Sequence, residues 1–145
     1  MDVNYKPEGY NNVSTSLIVE GAADCIEFIK TVFGATERMR MPRPDGGVMH
    51  CELQLGDSVI MIGDSLPPEF LPGISSVHVY VPDVDATYQA ALNAGATSAG
   101  EPMDMFYGDR SGSVMDAWGT RWSIATHIEE LSDEEMIKRG LAERG

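Results

Sequence analysis

Basic residues are scarce in this chain: ten Lys and Arg stand against 23 Asp and Glu, a formal net charge of −13 over 145 residues. A field of that sign repels phosphate backbones and anionic lipid, so neither nucleic acid nor a membrane surface is an expected partner. Cysteine is nearly absent, and Cys25 and Cys51 both sit in apolar patterns. Two such residues make no disulfide framework and read as buried reduced thiols, in keeping with a cytoplasmic address. No apolar stretch is long enough to span a bilayer, and the opening Met-Asp-Val-Asn-Tyr-Lys holds no signal-peptide core. A glycine-rich turn following a strand pattern, as a nucleotide or methyl donor would need, is also missing, and no cofactor is expected.

What is present is enough apolar material, 43% of residues, to build the core of one domain. From Val13 to Val19 the residues alternate, with Val13, Leu17 and Val19 on one parity and Ser14 and Ser16 on the other, the period of a half-packed strand. Ala22, Ile26, Ile29 and Phe33 then recur at helical spacing, with Gly34 placed to end the helix. A strand over about 37–41 leads into the turn Pro44-Asp45-Gly46-Gly47. Val48 to Leu55 alternates again, with Met49, Cys51, Leu53 and Leu55 on one face and His50, Glu52 and Gln54 on the other. Gly56-Asp57 turns the chain into a fourth strand over about 58–62, and the proline-rich stretch 64–75 reads as a linker.

The order then begins again. Val77, Val79 and Val81 share one strand face, while Ser76, His78 and Tyr80 share the other. A helix from Asp83 carries Val84, Tyr88 and Ala91, and strands follow at 113–115 and 121–126 with Trp118-Gly119 between them. Val19 precedes its counterpart Val81 by 62 residues, and Gly34-Ala35-Thr36 is repeated as Gly95-Ala96-Thr97. Two copies of a βαβββ unit fit this better than a solenoid, which needs several repeats. One α+β domain spans 1–145, with modules at about 13–63 and 76–127. Ser132 and Glu135 form a capping box for a closing helix over about 132–143.

Several segments carry a resemblance. Val-x-Gly-Ala-Ala-x-x-Ile-x-Phe, running into Phe33-Gly34-Ala35, resembles the opening of a vicinal-oxygen-chelate module, the superfamily of glyoxalase, bleomycin-resistance and extradiol-dioxygenase proteins. The run from Met41 to Leu53, Val79 to Asp85, Phe106 to Arg110 and Asp116 to Ser123 are similar to its PhnB-like branch in particular. The resemblance implies two tandem modules whose curved mixed sheets surround a cup-shaped cavity, with helices outside and homodimerisation common. In metal-dependent members, His, Glu or Gln ligands stand on the first and fourth strands of each module. Those positions here hold Ser14, Met61, Ser76 and Ser123. Hydroxyls and a thioether are poor ligands for Zn²⁺ or Ni²⁺, so no metal is expected there.

The reading that follows is a metal-free protein that binds a small aromatic or hydrophobic molecule, as bleomycin-resistance members do. Ser14, Ser16 and Ser76 would supply hydrogen bonds, Met61 with aromatic residues would supply apolar wall, and His50, Glu52, His78, Tyr80 and Ser123 are further candidates for contact with the ligand. An enzyme is the alternative: His50, Glu52 and His78 share polar strand parity and would make a His-Glu-His metal set if they converged. Without metal, Glu52 or His78 would be the acid or base. Phe106, Tyr107 and Arg110 admit two readings: a loop closing over a planar or anionic ligand, or a loop pinned by Asp109 and Arg110 with the rings in the core. His127 reads as a solvent-facing residue or a helix-entry contact, and Trp122 as core.

Overall fold

A computed structural model describes residues 4–144 and divides them into two compact units that meet between Ser75 and Ser76. Each unit is one βαβββ module, so the repeat expected from the sequence is the architecture of the protein. No helix among the described residues is long and apolar enough to cross a membrane.

In unit 1, β1 (Thr15–Val19), α1 (Ala22–Phe33), β2 (Thr36–Pro42), β3 (Val48–Leu55) and β4 (Ser58–Asp64) give a mixed sheet of order β1-β4-β3-β2. β1 runs parallel to β4, and the other neighbours are antiparallel. The helix α1 packs on β1, β3 and β4. Its Ala22, Cys25, Ile26 and Ile29 are buried, as are the strand residues Leu17, Val19, Cys51, Leu53, Ile60 and Ile62. Burial of an amphipathic stripe against one sheet face fixes which strand residues remain on the other.

Three expectations shift here. Val13 lies before β1 and is exposed rather than packed. β4 runs on to Asp64, so the linker starts one residue later than expected. Met49 does not share the packed face with Cys51 and Leu53; it is exposed, while Val48 is buried. The cause is a bulge: Met41 pairs with His50 and Pro42 with Val48, which leaves Met49 as an extra residue. An extra residue reverses side-chain parity beyond it.

In unit 2, β5 (Ser75–Tyr80), α2 (Val84–Asn93), β6 (Thr97–Asp104), β7 (Asp109–Met115) and β8 (Thr120–His127) form a sheet of order β5-β8-β7-β6, followed by α3 (Asp133–Arg144). α2 packs on β6, β7 and β8. Asp83 caps it by accepting from Ala86 N. Val79, Val84, Tyr88, Val114, Trp122 and Ile124 are buried, with Trp122 in the core as its parity implies. β6 has no counterpart in the strand pattern of the sequence. Its residues Thr-Ser-Ala-Gly-Glu-Pro-Met-Asp do not alternate, and Pro102 lacks an amide donor. An edge strand with two register shifts tolerates both features.

Candidate functional site

The face of sheet 1 turned away from α1 is assembled by register. Ser16 pairs with Met61, Met61 with Glu52, and Glu52 with Met39, giving one row across all four strands. Ile18 beside Gly63 and His50 beside Met41 give the row next to it. His50 Nε2 lies 3.0 Å from Glu52 Oε2, so the two expected polar residues meet. Burial alone would raise the Glu52 carboxyl, but hydrogen bonds from His50 and Tyr10 outweigh it and hold it below the usual carboxylate value. A carboxylate made less basic in this way is a weaker general base.

Over the row with Ile18 and His50 lies a cavity of about 240 Å³. Ile18, Met49, Met61, Leu66 and Phe70 give it apolar walls, and Ser16, His50 and Arg43 bring polar groups to it. Met49 reaches the cavity because of the bulge. Leu66 and Phe70 come from the proline-rich segment, where each donates a backbone N–H to the other's carbonyl. Arg43 is held in place by Ser65 O at 3.0 Å and Asp45 Oδ2 at 2.6 Å. A second recess, over the row with Glu52, is lined by Ser14, Met61, Glu52, Tyr10 and Arg38. The segment before β1 closes it: Arg38 donates to Glu8 O and stands 5.1 Å from the centre of the Tyr10 ring.

In unit 2, Ser76, His78 and Tyr80 lie on the strand parity opposite buried Val79, and all three are exposed. The His78 and Tyr80 rings meet edge to face at 4.9 Å. Ser123 pairs with Ser113, and both line a recess of about 330 Å³ with His78, Tyr107 and Arg121. The trio Phe106, Tyr107 and Arg110 does not converge. Tyr107 reaches the recess. Phe106 packs edge-on to Tyr107 and lies beside Gly140 of α3. Arg110 is committed elsewhere, donating twice to Asp85 at 2.8 and 3.0 Å and once to Asp104 at 3.1 Å. Those contacts raise its already high pKa and tie β7 to α2 and β6.

Asp109 is the feature that the sequence pattern did not single out as functional. It is 3% exposed, accepts from Tyr80 Oη at 2.8 Å and lies 2.8 Å from His127 Nδ1. His127, read from the sequence as a solvent-facing residue or a helix-entry contact, is thus half on the surface and half on a buried carboxylate. Its partner sits opposite it across the β7–β8 ladder, a pairing visible only once the register is known.

The metal positions that the resemblance implies can be tested on donor chemistry. Met61, Ser76 and Ser123 lie on strand parities away from the buried core and Ser14 lies just before β1; together they offer three neutral hydroxyls and a thioether. Such a set does not fit a divalent cation that seeks imidazole or carboxylate. Among the described residues, no three His, Cys, Asp or Glu side chains gather to hold a metal within either unit.

Comparison with known proteins agrees with this architecture. The profile of the Glyoxalase/Bleomycin resistance protein/Dioxygenase superfamily matches residues 12–124. An uncharacterised protein of Mycobacterium bovis is 36% identical over 146 aligned positions, covering 94% of this chain and 93% of that one. Among solved structures, TioX from a Micromonospora species superposes with a TM-score of 0.65 at 22% identity, over 81% of this chain and 100% of that one. The PhnB protein of Bacillus cereus gives a TM-score of 0.65 at 16% identity, over 80% and 99%. The chain therefore belongs to the glyoxalase, bleomycin-resistance and dioxygenase superfamily. The solved structures support the fold at these identities.

Proposed function

We propose that this protein is a metal-free member of the superfamily, in its PhnB-like branch, that binds a small hydrophobic or aromatic molecule stoichiometrically. The observation that carries the reading is the cavity of about 240 Å³ on sheet 1, whose apolar lining, Met49, Met61, Leu66 and Phe70 among it, stands around Ser16, Arg43, His50 and Asp64. Apolar walls with a few placed polar groups are what a small-molecule site needs. Methionine suits such a wall because its thioether adapts to irregular shapes. Homodimerisation belongs to the same proposal, by the habit of related modules.

The test is a fluorescence titration with N-phenyl-1-naphthylamine, a neutral hydrophobic aromatic probe. One site per chain is expected in the wild type, and Met61→Trp, which fills the cavity, should abolish it. Met61→Trp binding the probe as well as the wild type would refute the placement. Sustained product formation from any bound compound would refute the binding-only role.

An acid–base enzyme is the second reading, favoured by the 3.0 Å contact between His50 and Glu52. The reduced basicity of Glu52 weighs against it.

A further inference from the structure

The recess of unit 2 differs in chemistry from the cavity of unit 1. Arg121 lines it, is exposed, and its guanidinium makes no hydrogen bond or ion pair among the described residues. That is notable in a chain where Asp and Glu outnumber Lys and Arg by 23 to ten. Arg43, Arg110 and Arg139 each hold a carboxylate. Around Arg121 stand Ser111, Ser113 and Ser123, whose hydroxyls likewise have no partner among the described residues. His78 adds a ring whose described contact is the Tyr80 edge, with neither nitrogen engaged.

Register brings these groups together. Ser113 pairs directly with Ser123, and Ser111 and Arg121 lie two residues from them on β7 and β8. Strand alternation therefore puts all four on one sheet face. A bulge between β6 and β7, where Gly100 pairs with Ser113 and Met103 with Ser111, bends the edge strand beside them. Met103, Met105 and Tyr107 supply apolar surface at the margin. Unused donors grouped beside an unpaired guanidinium favour an oxyanion, because the guanidinium fork and the hydroxyls all donate to it. The Tyr107 ring and the methionines suit an apolar or aromatic body on the same molecule. Glu101 also lines the recess and opposes the anion.

We propose that this recess takes a small aromatic or apolar carboxylate, its oxyanion held by Arg121 with Ser113 and Ser123. None of the residues lining this recess lines the cavity on sheet 1, so each reading is tested by its own variants.

The probes are benzoate and its neutral counterpart benzamide, titrated into the full chain at 0.15 M salt and followed by amide chemical shifts. Benzoate should move Ser111, Ser113 and Ser123 and bind about fivefold or more tightly than benzamide, the order expected of a charge-assisted contact that is partly exposed. Arg121→Gln should bring benzoate down to the benzamide level without altering benzamide. Glu101→Gln, by removing the opposing charge, should tighten benzoate about twofold. Lys138→Gln removes one positive charge on α3 and should change nothing, which separates a local contact from the net field. Equal binding of the two probes, shifts confined to other residues, or benzoate binding unaffected by Arg121→Gln would overturn the proposal. Because Arg121 is exposed and Glu101→Gln acts in the opposite direction, a general loss of folding cannot mimic the expected pair of results.

Discussion

His127 Nδ1 donates to Asp109 Oδ1 at 2.8 Å, and the second oxygen of the same buried carboxylate accepts from Tyr80 Oη at 2.8 Å. A carboxylate that is 3% exposed would be costly without such partners. The arrangement favours the protonated imidazole. The hydrogen bond to Asp109 is the main cause of a raised His127 pKa, and Glu130, 3.2 Å from Nε2, adds to it.

The sign follows from linkage. His127 is held above its unfolded value, so its contribution to stability is full below pH 6.5 and is lost as pH rises through the folded pKa. Asp109→Asn should lower the His127 titration midpoint, read from its ring-proton shifts, and should flatten the loss of stability as pH rises above 6.5. It should also cost about 1–3 kcal/mol, because an amide cannot accept from both partners as the carboxylate does. An unchanged midpoint in Asp109→Asn would disprove the coupling.

Asp64 closes a different gap. Gly21, at the N-terminus of α1, has no side chain to cap the helix. Asp64 reaches over from the end of β4 instead: its Oδ1 accepts from Gly21 N at 3.0 Å and Ala22 N at 2.8 Å, and its Oδ2 accepts from Val48 N at 2.7 Å. Burial alone would raise its pKa, but the three backbone donors outweigh that and lower it. Its contribution is therefore present above pH 3.8 and lost as pH falls through the folded value. Asp64→Ala should cost about 1–3 kcal/mol in urea unfolding at neutral pH, with the gap to wild type narrowing under acid.

Arg110 separates structure from binding. Its bonds to Asp85 and Asp104 join β7 to the start of α2 and the end of β6. Arg110→Ala should lower the thermal midpoint while leaving both the fluorescent probe on unit 1 and benzoate on unit 2 bound as in the wild type. Loss of either ligand in a folded Arg110→Ala protein would return Arg110 to the site.

These residues show where sequence reasoning reaches and where it stops. Alternation in Val48 to Leu55 and the apolar spacing of Ile26 and Ile29 are local signals, so β3 and α1 were legible. So was the repeat, because Gly34-Ala35-Thr36 and Gly95-Ala96-Thr97 end equivalent helices. β6 was not, since an edge strand containing Gly100 and Pro102 needs no alternation. The bulge at Met49 was hidden for a related reason: it depends on which residue of β2 stands opposite. Parity assigned Ser16, Met61, Ser76 and Ser123 to faces away from the core, whereas Ser14, assigned with them, lies before β1. Asp109 with His127 and Asp64 with Gly21 are contacts across a fold, 18 and 43 residues apart, which periodicity cannot report.

Gly63 joins the bulge to the proposed binding cavity. A Cβ on Gly63 would lie 2.7 Å from the carbonyl oxygen of Met49, a backbone atom that cannot swing aside as a side chain can. Both residues line the cavity, so β4 must move away from β3 at the point where Met49 is presented to it. Gly63→Ala should cost about 1–3 kcal/mol, as overpacking does, and should weaken the fluorescent probe on unit 1 while leaving benzoate on unit 2 unaffected. Gly34→Ala is the matched control. Its φ of 69° strains any side chain, but a Cβ there meets nothing within 4 Å. It should cost about 1–2 kcal/mol from backbone strain alone and leave the probe bound. If Gly63→Ala binds the probe with wild-type affinity, the close approach of β4 to Met49 does not shape the cavity, and the bulge is a feature of the strand pair alone.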